Sequence, residues 1–233
     1  MRTSAKVFSM ILAAGMTIVP AAAREKGSAD EIKKLQAAEQ ALRMSVAAPD
    51  KGIPKDLLQK AECIGVFPDV KKAAFVVGGE GGRGVFTCRS KDGRMSAPAF
   101  FTIGGPSIGF QAGIQEADVV LLVMNDEGVQ KLLQDHVTLG GEASVAAGPV
   151  GRTAEAGTDA QLHAQILSWS RSRGLFAGVS LEGMVLKQNN KATQDFYGKA
   201  IDAKEILVNQ SVPVPAAAQS FVKTTTQVAK RSS

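Results

Sequence analysis

Residues 63–88 read CIGVFPDVKKAAFVVGGEGGRGVFTC, and the fold turns on how this stretch divides. Segments 63–67, 73–77 and 84–88 are short runs of apolar, β-branched and aromatic residues. Pro68-Asp69 and a glycine-rich segment stand between them, both of them turn signals. The same texture continues through 97–103, 107–114 and 119–124. Between Met95 and Met124 the only charges are Glu116 and Asp118, so these strands are expected to be buried on one face or both. Of the chain's 24 glycines, 19 lie between Gly78 and Gly183, which suits tightly coiled sheet rather than helix.

Outward from this centre, further strands are expected at 143–147, 163–169, 175–181 and 184–186. Helices are expected at 28–46, 55–61, 126–134, 189–197 and 203–208. The first has Ser28 as a candidate N-cap with Glu31 three residues on, a capping-box spacing. Its charges nearly cancel, which suits a helix packed on its own domain better than one seeking anionic lipid. After Pro213 and Pro215 a weakly amphipathic tail helix, 216–230, is expected to carry exposed Phe221 and Val228. Strands and helices do not alternate regularly, which argues against a doubly wound sheet. The fold class expected is α+β: a strongly curved, mostly antiparallel sheet or barrel flanked by N-terminal and C-terminal helices.

The amino terminus has its own grammar. Arg2 and Lys6 precede an apolar run, 7–19, which ends in Ala21-Ala22-Ala23 before polar Arg24. A positive start, a short apolar stretch and small residues describe a secretory signal peptide, with cleavage expected after Ala23. The domain organisation expected is a signal peptide (1–23), an N-terminal helix (24–50), a main domain (51–210) and a Pro/Ala-containing tail (211–233). Net charge is 27 − 22 = +5, falling to 25 − 22 = +3 without residues 1–23. That balance permits attraction to phosphates or acidic lipids. Aromatic residues are only 5%, too few to supply the stacking platforms of a nucleic-acid binder. A periplasmic or secreted protein, peripheral to a membrane, is therefore expected. In an oxidising compartment the two cysteines, Cys63 and Cys88, form a plausible disulfide. A simple meander would not make their strands neighbours, and two small buried apolar side chains are the alternative.

Two glycine motifs invite enzymatic readings. Gly79-Glu-Gly-Gly-Arg-Gly84 matches G-x-G-x-x-G, but strand-like Val85-Phe-Thr-Cys88 follows where a dinucleotide site needs a helix. A glycine hairpin turn carrying Arg83 is expected instead. Gly105-Pro-Ser-Ile-Gly109 matches G-x-S-x-G, yet 108–114 alternates large and small residues as a strand does. Ser107 is therefore expected to be structural, with a serine esterase as the alternative. His136 and His163 stand at no metal-ligand spacing, and no metal or cofactor is expected.

Basic residues gather in short knots: Lys71-Lys72, Arg83, Arg89 with Lys91 and Arg94, Arg152, and Arg171 with Arg173. A guanidinium can hold phosphate oxygens through two parallel hydrogen bonds. Arg152 stands in a tight Gly148-Pro-Val-Gly-Arg152 turn, and the period-two spacing of Arg171 and Arg173 puts both on one strand face. Arg152, Arg171 and Arg173 are the first candidate head-group contacts, and Arg83, Lys71 and Lys72 the second.

In addition the chain resembles the SYLF lipid-binding domain family over residues 54–208. The resemblance rests on Phe67-Pro-Asp-Val-Lys-Lys-Ala-Ala-Phe-Val-Val-Gly-Gly79, Ser96-Ala-Pro-Ala-Phe-Phe-Thr-Ile-Gly-Gly105 with Gly109-Phe-Gln111, and Val123-Met-Asn125. It continues through Ser144-Val-Ala-Ala-Gly-Pro-Val-Gly-Arg152, Ser170-Arg-Ser-Arg-Gly-Leu-Phe-Ala-Gly178 and Phe196-Tyr-Gly198. Such a resemblance implies a non-catalytic binder of lipid head groups or membrane surfaces; eukaryotic members are linked to actin patches and phosphoinositides. The partner expected here is anionic lipid or a membrane surface, not nucleic acid. A structural envelope-assembly protein with an acidic partner is the further alternative.

Overall fold

The computed structural model describes residues 21–47, 52–150, 163–172 and 175–230. The expected α+β architecture is present. A seven-stranded mixed sheet curls into a half-barrel, and helices cover its convex face.

Two strands dominate it. Strand β1 (Cys63–Cys88) and strand β2 (Ala99–Val123) form one antiparallel hairpin, from the Cys63–Val123 pair to the Phe86–Ala99 pair. The six separate runs read from the sequence are therefore two continuous strands. Pro68-Asp69 is not a turn but a bulge: the register shifts between Phe67 and Val70, and Asp69 takes φ 56°. A second shift lies between Ala74 and Val76. Gly79–Gly84 is likewise not a hairpin turn; it pairs residue by residue with 101–106 of β2. Bulges bend a strand without ending it.

The bend is deep enough to bring the two arms of β1 side by side. The Arg89 N–H donates to the Glu62 carbonyl at 2.7 Å, and Lys72 reaches Glu80 at 3.9 Å. Bare glycines permit this approach. A Cβ on Gly65 would lie 2.4 Å from the Phe86 ring, and one on Gly84 would lie 2.4 Å from the Val66 carbonyl oxygen. Cys63 and Cys88, at opposite ends of one strand, meet with Cα atoms 4.0 Å apart and are disulfide-bonded.

Both arms of the hairpin recruit further strands. The C-terminal arm of β2 pairs with β5 (Ile166–Ser172), which is flanked by β6 (Leu175–Gly178) and, in parallel, β4 (Val145–Ala147). The N-terminal arm pairs with β7 (Val185–Gln188), beyond which lies β3 (His136–Thr138).

Period-two alternation sends each strand's side chains to two separate cores. Phe67, Phe86, Phe101, Leu121 and Val123 fill the concave side, where Phe86 meets Phe67 and Phe101 edge to face. Ile64, Val66, Val85, Phe100, Val120, Leu122 and Trp169 lie on the convex side. There they meet α1 (Ala21–Ala47) through Leu35, Ala38, Ala41 and Leu42, with α2 (Lys55–Lys60) and α4 (Asn190–Tyr197) alongside. Helix α3 (Asp126–Leu132) is capped by the Asn125 side chain, while α5 (Ala203–Leu207) closes the concave core through Ile206 and Leu207.

The ends depart from expectation in three ways. Helix α1 already runs through Ala21–Ala47, so Ser28 is internal rather than a cap, and the expected cleavage point after Ala23 falls within the helix. The rest of the expected signal segment lies outside the described residues. The tail forms a 3-10 turn (Ala216–Ala218) and helix α6 (Gln219–Val228), which buries Phe221, Val222, Thr224 and Thr225 against the domain. Phe221 is thus buried, not exposed, because α6 packs on α1; Glu39 accepts hydrogen bonds from Ser220 and Thr224 across that contact.

Candidate functional site

The candidate site lies where the hairpin bends. Residues 73–79 of β1 and 104–115 of β2 meet there and contain no charged residue. Charged pairs flank this segment. Lys71 on β1 sits opposite Glu116 on β2 at 3.4 Å. Two residues along β2, Asp118 faces Arg171 on β5 and binds its guanidinium at 2.6 Å. Glu116 and Asp118 share a face of β2, so each takes a cation from a different neighbouring strand. Asp118 also accepts the Asp69 N–H. Arg171 is three-quarters buried, and its Nε is without a partner.

Arg83 is also on the convex face, but inside β1 rather than in a glycine loop. Its guanidinium donates to Glu31 of α1 at 2.8 Å. Glu31 is 3% exposed, and burial pushes its carboxyl above the usual range although Arg83 pulls it down. Lys34, one turn along α1, reaches Asp69 at 3.8 Å. The N-terminal helix is thus pinned over the β1 bulge by two ion pairs. Lys72 is not on this face. Alternation turns it to the concave side with Glu80, so Lys71 and Lys72 do not act as one contact group.

Lys71, Arg83 and Arg171 therefore share the convex face near the bend, each already matched by a carboxylate. Arg152 and Arg173 lie outside the described residues. Beside the bend, Ser172 donates to the Glu116 carbonyl and pairs with Leu175, whose side chain is 74% exposed at the start of β6. Such an arrangement places an uncharged segment in front of a balanced charge belt. It can offer cations that exchange a carboxylate for a phosphate.

Sequence reading missed the role of Arg89. Its guanidinium donates to the carbonyls of Leu58 and Gln59 in the last turn of α2 and of Ala61 just past it, and to Ala229 just past α6, at 3.0–3.3 Å. A cation at two helix C-termini is held by carbonyl dipoles, which makes Arg89 a structural clamp. No local signal announces it, because its partners come from distant segments.

Ser107 lies within β2, opposite Gly78, and the strand runs on to Val123. The helix that a nucleophile elbow requires does not follow it. Among the described residues no three of His, Cys, Asp and Glu converge as metal ligands, and no helix is long and apolar enough to cross a membrane.

Comparison with known proteins points to one family. A profile described as "Ysc84: Las17-binding protein actin regulator" matches residues 104–228. SH3 domain-containing YSC84-like protein 1 of Rattus norvegicus is 39% identical over 174 residues, 74% of this chain and 51% of that protein. LAS seventeen-binding protein 3 of Saccharomyces cerevisiae is 38% identical over 73% of this chain and 38% of its own length. Protein YSC84 of the same yeast is 36% identical over 76% of this chain. The chain spans 38% to 51% of the length of these relatives. Their names describe binding and regulatory proteins rather than enzymes.

Proposed function

Since the chain belongs to the Ysc84 family, the SYLF resemblance read from its sequence, we propose that it is a non-catalytic binder of anionic lipid at a membrane surface. The observation that carries this reading is the uncharged bend of the β1–β2 hairpin, with exposed Leu175 beside it and paired charges behind. The bend meets the interfacial region of the bilayer. Arg171, Lys71 and Arg83 then lie at the level of the head groups. A lipid phosphate exchanges with Asp118 for the Arg171 guanidinium, and Arg152 and Arg173 are the further head-group contacts of this reading. Because the belt is internally balanced, no bulk positive field drives attachment, and recognition depends on local exchange. The signal-like composition of residues 1–23 supports a periplasmic or secreted location for this binder, at the face of an envelope membrane.

Liposome co-sedimentation tests this. Each cation contact at a membrane surface contributes about 1 kcal/mol, so Arg152→Ala/Arg171→Ala/Arg173→Ala should bind anionic vesicles on the order of a hundredfold more weakly. A folded triple variant that sediments like the parent, by circular dichroism and vesicle titration together, overturns the assignment. The names of the yeast relatives favour a second reading, a protein-binding surface; vesicle-independent capture of an acidic envelope protein would support it.

A further inference from the structure

We propose that a groove at the other end of the hairpin binds a single-chain amphiphilic monoanion, specifically a long-chain carboxylate. The groove lies between residues 94–97, which connect β1 to β2, and the segment 210–227. It has a cavity volume of about 500 Å³, within the range of pockets that take small ligands. It is far from the bend in the hairpin's own order, and it stands whether or not the membrane reading does.

The lining divides by chemistry. Pro213 and Val214 supply the accessible apolar wall, over a floor of the nearly buried Met95, Ala97, Val212 and Val222, and an alkyl chain suits this lining. The only charged lining residues are cations, Arg94 and Lys223. Arg94 is bound by Asp92 at 2.6 Å, and Asp92, held near pKa 2 chiefly by the Ser90 hydroxyl and the Arg94 N–H, stays ionised. Lys223 has no carboxylate partner among the described residues. One uncompensated positive charge therefore stands beside an apolar wall. Gln219, Lys223 and Gln227 are spaced four apart and share one stripe of α6, so two amides flank the ammonium with further donors. A carboxylate balances Lys223. A phosphate monoester dianion would leave an excess negative charge close to Asp92.

The test is displacement of the fluorescent carboxylate 11-(dansylamino)undecanoic acid from the purified full chain. Dodecanoate should displace it saturably, dodecanol at least about tenfold less well, and dodecyl phosphate less well than dodecanoate. Lys223→Glu should weaken dodecanoate about tenfold or more, and Lys223→Arg should retain it. Val214→Trp should fill the apolar wall and abolish binding; if that variant fails to fold, the Lys223 pair decides alone. Equal binding by parent and Lys223→Glu, or equal displacement by dodecanol, overturns the proposal. So does self-association in sedimentation velocity that Lys223→Glu abolishes, since a second copy of the chain would then occupy the groove. Anionic-vesicle binding by Lys223→Glu should match the parent, which separates failure of this site from failure at the bend.

Discussion

The two ends of the β1–β2 hairpin use opposite chemistry. At the disulfide end, polar groups bind inward. The Arg89 guanidinium satisfies helix carbonyls, Ser96 Oγ accepts from the Cys88 N–H at 3.0 Å, and the Thr87 hydroxyl donates to the Ser96 carbonyl at 2.7 Å. At the bend end, Lys71, Glu116, Arg171 and Asp118 pair along the outer face of the sheet. The disulfide end thus resembles a protein interior, and the bend end a solvated surface. On the proposed membrane reading, the inward-bonded groups of the disulfide end hold the fold and the outward pairs of the bend meet the lipid. Mutations at the first end should unfold the chain, whereas those at the second should change what it binds.

The largest expected effect lies at the clamp. Arg89→Ala leaves carbonyls at two helix ends without their donor, each such loss costing about 1–3 kcal/mol. A combined loss of about 4 kcal/mol, read from urea denaturation, is expected. A loss below about 1 kcal/mol would show that water replaces the guanidinium there and would erase the contrast between the ends. Next comes Cys63→Ala/Cys88→Ala. Opening a closed loop of 25 residues should cost about 3 kcal/mol, with the slope of the denaturation curve altered by a looser unfolded chain.

Two carboxylates of α1 sharpen the comparison through pH. Burial raises the Glu31 pKa, so its contribution to stability is full below the unfolded value of 4.5 and is lost as pH rises through the higher folded value. Burial also pushes Glu39 upward, but hydrogen bonds from Arg43, Ser220 and Thr224 outweigh it and the net shift is downward. Its contribution is present above 4.5 and is lost as pH falls through the lower folded value. Glu31→Gln should therefore gain stability relative to the parent between pH 4 and pH 7, and Glu39→Gln should lose it. Urea midpoints at the two pH values decide, and slopes of the same sign would refute the account. The smallest effect is expected at the bend. Lys71 and Glu116 are both more than half exposed, so Lys71→Ala should change stability by less than about 0.5 kcal/mol.

Much of this was readable beforehand, for physical reasons that differ by residue. The near absence of charge between Met95 and Met124 pointed to strands buried on one face or both, and at the two ends of β2, 99–103 and 119–123, residues of both faces are packed into the cores. Strand continuity was not readable. Proline, aspartate and glycine mark hairpin turns and strand bulges alike, and only pairing with a second strand tells them apart. At the candidate site, Lys71, Arg83 and Arg171 announced themselves as cations. Their partners Glu116, Glu31 and Asp118 did not, since ion pairing across strands and layers depends on register and packing. Phe221 was misread because the surface that covers it comes from α1, far away in sequence.

A strand that closes on itself also measures itself. Slipping the arms by one residue would displace one thiol by about 3.3 Å along the strand and turn it to the opposite face. In the folded chain Cys63 and Cys88 meet across arms aligned by the two bulges. Alignment of the arms therefore favours the Cys63–Cys88 bond, and the bond once made holds the arms in that alignment.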